Sequence, residues 1–284
     1  MKTIYHFSGA GNDFVVIDGR EGDVSAFREV PRIEALCKQY KTDGLMILGM
    51  PDQVGHDGGS TGTSTVMADP DRPSVDLTME FYNPDGSGGM MCGNGGRCIV
   101  AFADYLGIKP ASGGVFLFMA PDGLHTGEIL ERPEDGLWTV RIKMIDVQGI
   151  APMLGGYFLN TGTRHFVKFV EDVEQVDVDA EGKALRWNEA FAPIGTNVNF
   201  VHVAPDGLHV RTFEKGVEGE TLACGTGLTA CALVAHHAGV PTATPGAYFL
   251  RARQDWLSVN FTPGADEKFT DVYLTGPARL VEIR

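Results

Sequence analysis

The sequence predicts a mixed α/β protein built as two similar halves, and three observations predict it. Short apolar runs separated by Gly, Pro, Asn and Asp read as strands. Few segments carry a helical pattern. One unit, a phenylalanine in a strand-like run, a loop, Cys-Gly-x-Gly, a helix and a closing glycine, occurs twice at an offset of 132 residues (224 minus 92).

In chain order, the strand-like runs include "LMILGM" from residue 45, "VFLFMA" from 115, "LWTVRIKMI" from 137 and "FVKFVEDV" from 166. The "EDG" at 134–136 reads as a hairpin turn. Helices are expected over 25–40, 95–106 and 227–238. The last two superpose when Cys92 is laid on Cys224: Gly93 meets Gly225, Gly95 meets Gly227, and Gly107 and Gly239 fall where a helix C-cap belongs. Phe81 and Phe213 each stand eleven residues before their cysteine (92 minus 81, 224 minus 213). The segment 51–78, rich in Gly, Ser, Thr, Asp and Pro, reads as a surface loop or long hairpin, with a solvated His56 and no chemistry of its own.

Composition narrows the function. The 284 residues are 43% hydrophobic and 21% charged, an ordinary globular mixture with no apolar stretch of membrane-spanning length. The first residues, "MKTIYHFSGAGNDF", lack the apolar core of a signal peptide, so a cytoplasmic protein is expected. A net charge of -14 argues against a nucleic-acid or membrane partner. The five cysteines are an odd, sparse set with no C-x-x-C pair, which points to reduced thiols and no metal site. Cys98 and Cys231 fit the buried faces of the two matched helices.

Cys92 and Cys224 are different, because the glycines that follow them let a ligand approach the backbone. The free amides and positive dipole end of a helix start bind carboxylates. The same field is expected to lower a thiol pKa from about 8.5 towards or below neutrality. Two such starts facing each other would place a base on either side of one bound carbon. That suits inversion of an amino-acid α-carbon, one cysteine removing the proton and the other delivering one to the opposite face. A cysteine hydrolase would leave the second motif unexplained. A non-catalytic carboxylate-binding protein would have no use for two thiols.

On these residues the chain resembles the diaminopimelate epimerase family. The motifs are "SGAGNDF" at 8–14, "TDGL" at 42–45, "NPDGS" at 83–87 leading into "MCGNGGRC", "NTGTRHFV" at 160–167, "TNVNFV" at 196–201, "FEKGVEGETLACGTG" at 213–227 and "LTGPARLV" at 274–281. Proline racemase relatives also use two cysteines, but their Cys-Gly-His-Gly is absent here. The resemblance implies two pseudo-symmetric α/β domains, each a curved sheet or barrel around a central helix. It places residues 1–120 with about 274–284 in the half carrying Cys92, and 121–273 in the half carrying Cys224. It implies epimerisation of LL- to meso-diaminopimelate, on the route to lysine and peptidoglycan, with no cofactor, metal or pyridoxal phosphate. A homodimer is left open.

Carried over by motif, Cys92 and Cys224 are the acid–base pair. Gly93, Asn94, Gly225 and Thr226 present amides to the reacting carboxylate. Asn12, Asn83 and Asn197 match substrate-contacting asparagines, Glu214 meets a substrate ammonium, and His165 stands where a family histidine lies close to the cysteines and would tune them. Five positions depart from the family: Lys215 replaces an arginine, Thr163 and Arg164 replace Asn-Pro before His165, Gly44 replaces a glutamine and Gly88 a glutamate. Because Lys215 offers a point charge where a bidentate fork is usual, Arg164 is expected to compensate at the distal carboxylate. These changes leave a racemase of another amino acid, such as histidine, as the alternative substrate reading.

Overall fold

The computed structural model describes residues 2–51, 74–89 and 91–284. Most of the segment 51–78, His56 included, lies outside the described residues.

The first half begins with β1 (Ile4–Gly9) and β2 (Asn12–Asp18), an antiparallel pair. Helix α1 (Val30–Tyr40) then returns the chain so that β3 (Gly44–Gly49) lies parallel to β2 and β4 (Leu77–Tyr82) antiparallel to β3. Helix α2 (Gly93–Tyr105) leads to β5 (Val115–Ala120), parallel to β4, followed by the antiparallel strands β6 (Gly123–Glu134) and β7 (Leu137–Lys143). The last strand of the chain, β17 (Lys268–Ile283), pairs with both β7 and β1. The sheet therefore closes into a barrel, and α2 is its core, with every residue from Gly93 to Ala103 buried.

The second half repeats this order. After the short strands β8 (Val147–Gln148) and β9 (Ala151–Met153) come β10 (Gly156–Asn160) and β11 (Arg164–Phe169), antiparallel. Helix α3 (Val178–Arg186) precedes β12 (Asn197–Ala204), parallel to β11, and β13 (Gly207–Glu214) runs antiparallel to β12. A hairpin to β14 (Gly219–Thr221) feeds helix α4 (Gly225–His237), and β15 (Ala247–Arg251) returns parallel to β13. Strand β16 (Trp256–Pro263) and the first part of β17 complete the wall, with β8 on β17 and β9 on β10. A helix surrounded on all sides has no polar stripe, and α4 is accordingly buried from Gly227 to Ala235.

Strand β17 belongs to both barrels: Phe269 to Thr275 pairs with β16, and Gly276 onward pairs with β7 and β1. Strands β6 and β7 also wrap α2, beyond Ala120. On that pairing we place the division of the halves after Lys143 and between Thr275 and Gly276.

Both central helices end as the glycines require. Ile108 N–H donates to Ala103 O and Gly107 N–H to Asp104 O, while Val240 and Gly239 do the same to Ala235 and His236. These are Schellman motifs, with Gly107 at φ +77° and Gly239 at φ +74°. The other half of the repeat needs correcting. Leu77 of β4 pairs with Phe118, and Leu208 of β13 pairs with Leu250. The strands after the helices keep the offset of 132 (250 minus 118), but those before them are offset by 131 (208 minus 77). A one-residue slip reverses the face of a strand. Phe81 therefore packs inside its barrel with Phe14 and Met46, whereas Phe213 packs outside its own, against Val178 and Phe191.

Two helix expectations also change. The segment 25–40 is not one helix: Ser25–Arg28 is a 3-10 turn, Glu29 is extended, and α1 starts at Val30. Pro31 explains the break, because it cannot sit in a helix interior but fits the first turn. Helices α2 and α4 start two residues earlier than expected, which puts each cysteine at an N-cap.

Candidate active site

The two N-caps meet at the floor of a cleft of about 1420 Å³ between the barrels. A Cβ built on Gly93 would lie 3.8 Å from Gly225 Cα, and one on Gly225 would lie 3.5 Å from Gly93 Cα. Both would press within 2.9 Å of the same Leu274 methyl, at the point where β17 crosses between barrels. The helix starts thus touch glycine to glycine, leaving their first amides open to a ligand.

Asn12, Asn83, Cys92, Gly93, Asn94, Thr163, Asn197, Glu214, Lys215, Cys224, Gly225 and Thr226 all line the cleft. Asn94 joins the halves: its amide nitrogen donates to Asn12 Oδ1 and, at 3.2 Å, to Ala223 O beside Cys224. Asn12 Nδ2 donates in turn to Asp43 (3.3 Å). Asn83 donates to Ser87 Oγ at 3.0 Å. Asn197 is committed to the backbone, donating to Arg164 O (2.9 Å) and accepting from Lys215 N–H (2.8 Å). It shapes the cleft by holding the Lys215 turn in place.

Arg164 does not reach the cleft. Its guanidinium donates to Phe191 O at 3.3 Å and lies 5.5 Å over the Phe158 ring. Adjacent strand residues face opposite sides, so with His165 turned inward Arg164 is turned out, and it cannot compensate for Lys215. Gly44 also stands off the cleft, its backbone so near Tyr82 O (2.8 Å from a built Cβ) that no side chain fits. Gly88 lines the cleft with open space around it.

His165 is fully buried behind Cys224. Asn199 Nδ2 donates to Phe166 O (3.1 Å), which fixes its amide, so it also donates to His165 Nδ1 (3.1 Å). The ring proton is therefore on Nε2, 2.9 Å from both Thr226 Oγ1 and Thr163 Oγ1. With its oxygen accepting from His165, the Thr226 hydroxyl can donate to Cys224 Sγ, 3.4 Å away. Burial pushes the His165 pKa down to about 3. The ring is neutral at physiological pH, with its one proton on Nε2, and aims a hydroxyl rather than serving as an acid or base.

A stability effect follows. Below pH 6.5, the ordinary histidine value, the unfolded chain takes up a proton that the folded chain refuses until about pH 3. His165 thus makes stability fall as pH drops through that window. Urea unfolding at pH 7 and pH 4.5 is expected to show a smaller loss in His165→Gln than in the wild type; equal losses would contradict the buried neutral ring.

The thiols reverse an expectation. Burial, first, pushes the pKa of both upward, that of Cys224 to about 12, and the charge of Glu214 adds to it. The Gly95 N–H on Cys92 Sγ (3.1 Å) and, at Cys224, Thr226 and the Gly227 amide pull the other way. Desolvation outweighs these donors, so each thiol is a weaker acid than a free cysteine. Glu214 is itself pushed up by burial, held by Thr221 Oγ1 at 2.9 Å. A substrate ammonium beside Glu214 would cancel the charge that opposes a thiolate.

Sequence reasoning missed Arg97, Asn199 and Thr161. Thr161 Oγ1 donates to Thr226 O (2.9 Å) and so fixes the start of α4. The signal for Arg97 was a lone cation among apolar and glycine residues at the start of α2.

The fold and the paired thiols define the class: an isomerase of the racemase and epimerase kind. The fold is similar to that of a Bacillus anthracis phenazine biosynthesis protein of the PhzF family, with a TM-score of 0.71 over 100% of this chain and 98% of that one, at 11% identity. A sequence profile of diaminopimelate epimerase matches residues 157–255. The diaminopimelate epimerase of Chlorobaculum tepidum is 36% identical over 283 residues, covering 96% of this chain and 97% of the relative. That of Aquifex aeolicus is 38% identical over 289 residues, covering 96% and 93%. The chain belongs to the diaminopimelate epimerase family.

Proposed function

We propose that the protein interconverts LL- and meso-diaminopimelate, with Cys92 and Cys224 as the acid–base pair. The observation that carries this is the contact of two cysteine-capped helix starts across one cleft floor. The reacting carboxylate sits on the open amides of both helices, Gly93 and Asn94 on one side, Gly225 and Thr226 on the other. Its ammonium faces Glu214. One cysteine, as thiolate, takes the α-proton while the other, as thiol, gives its proton to the opposite face. One proton leaves the carbon and one arrives, so the pair carries the same charge before and after. The helix dipoles meet the charge that develops on the carboxylate, which is where preorganised amides contribute most.

Asn83, Thr163 and Lys215 line the part of the cleft left for the distal half of the substrate. Lys215 is exposed, and among the described residues no carboxylate lies within ion-pair distance of it. It is free to meet a distal carboxylate. Lys215→Met is expected to raise KM about tenfold or more while changing kcat little; an unchanged KM would remove Lys215 from the substrate site.

Among the described residues no helix is long and apolar enough to cross a membrane. All five cysteines are unpaired, which supports a reducing, cytoplasmic setting. The direct experiment is incubation with LL-diaminopimelate and separation of isomers. A mixture of LL and meso forms is expected, and recovery of pure LL would overturn the reading.

A further inference from the structure

Arg97 is the most deeply buried charge in the molecule's centre, with 0% of its surface exposed, and it does not line the cleft. Its guanidinium donates to Gly93 O (3.2 Å), Asn94 Oδ1 (2.9 Å) and Pro277 O (3.3 Å). All three acceptors are neutral. Gly276 makes room for it, since a Cβ there would lie 3.3 Å from Arg97 Cζ. Among the described residues no carboxylate lies within ion-pair distance of Arg97; the acid that acts on it from farther off, Asp255, is itself held by Arg279 at 3.0 Å.

A guanidinium stays charged at any pH the protein meets. Buried without a counter-charge, it is strongly destabilising. Two-thiol inversion supplies the missing charge, because a pair of cysteines sharing one proton is negative at every stage. Arg97 folds back onto Gly93 and Asn94, the two residues that follow Cys92.

We propose that Arg97 is the fixed counter-charge of the Cys92 thiolate, a positioning residue that acts on the reaction without touching substrate. The proposal rests on the two-thiol reading of the site. The groups that face Cys92 divide cleanly. The Gly95 amide, then Arg97 and the Asn94 amide, all from α2, favour a thiolate, while Glu214 from β13 opposes it; Cys224 at the N-cap of α4 is the partner thiol. Arg97 is faced in turn by Cys98 of its own helix, by Cys92 at that helix's N-cap and by Asp255 ahead of β16. The same side chain fixes Asn94 with its oxygen towards Arg97, so that its nitrogen reaches Asn12 and Ala223.

The test is the rate at which iodoacetamide alkylates Cys92 in the substrate-free protein at pH 8, followed by mass spectrometry of the Cys92 peptide. Only the thiolate reacts, so the rate reads the thiolate fraction. Arg97→Gln, which keeps a donor for Asn94 but no charge, is expected to slow Cys92 about tenfold or more and Cys224 less. Glu214→Gln is expected to change the rate in the opposite direction. Arg97→Lys, which keeps the charge and loses the fork, should remain near the wild-type rate. A wild-type rate in Arg97→Gln with an unchanged melting temperature overturns the proposal, and so does a tenfold fall in Arg97→Lys, which serves if the glutamine variant does not fold. Because no substrate is present, the result is independent of whether diaminopimelate is turned over, which the isomer separation reads.

Discussion

Cys92→Ser and Cys224→Ser are each expected to lower kcat for inversion by about 10²–10⁴-fold while leaving the melting temperature unchanged. A serine hydroxyl fits either N-cap position, where it can accept the bond that Cys92 Sγ accepts from Gly95 N–H. The fold should therefore tolerate it. The chemistry should not, because a hydroxyl is a far weaker acid than a thiol and cannot stand as the conjugate base near neutral pH. Each single variant retains one thiol and so loses one face of the exchange. Isomer separation after incubation with LL-diaminopimelate measures the loss. A variant that keeps wild-type inversion would show that its cysteine is only a cap.

Gly227→Ala is expected to have the next largest effect, lowering kcat by about 10²-fold and stability by about 1–3 kcal/mol. A Cβ at Gly227 would lie 2.4 Å from Asn199 Oδ1 and 3.3 Å from both His165 Cε1 and Cys224 Cβ. Asn199 has little freedom to yield, since it is fully buried and bonded to His165, Phe166 and Thr212. Moving it moves His165, then the Thr226 hydroxyl, then Cys224. Gly95→Ala makes a graded comparison: its Cβ would meet Cys92 Sγ at 3.2 Å and the flexible Met46 and Met79 at 3.3 and 3.4 Å, so a smaller loss is expected. Initial rates and thermal melts of the two variants check this, and equal losses would contradict it.

The parts of the site legible in the sequence were those that depend on backbone. Glycine after a cysteine, twice, marks a helix start approached by a ligand, and Gly107 and Gly239 mark the helix ends. What side-chain direction decides was not legible. Phe81 and Phe213 matched in spacing and yet face opposite sides of their strands, because one residue is gained between strand and helix in the second half. Arg164 sat in the right motif but on the wrong face of β11. Helix α3 was hidden by Gly182, which looks like a break and is a contact: a Cβ there would lie 2.4 Å from Phe213 Cβ. The thiol pKa was misjudged because the helix-start field is local to the motif, whereas desolvation comes from the whole of two barrels.

The account stands on two thiols that exchange protons with one carbon from opposite faces. Its most direct test is turnover of LL-diaminopimelate in deuterium oxide, with the deuterium located in the meso product. The account predicts deuterium at the inverted carbon from the first turnover, since the delivering thiol draws its hydrogen from solvent and not from the substrate. Meso product that keeps the original hydrogen at that carbon would contradict it, because a single group would then have carried the proton from one face to the other.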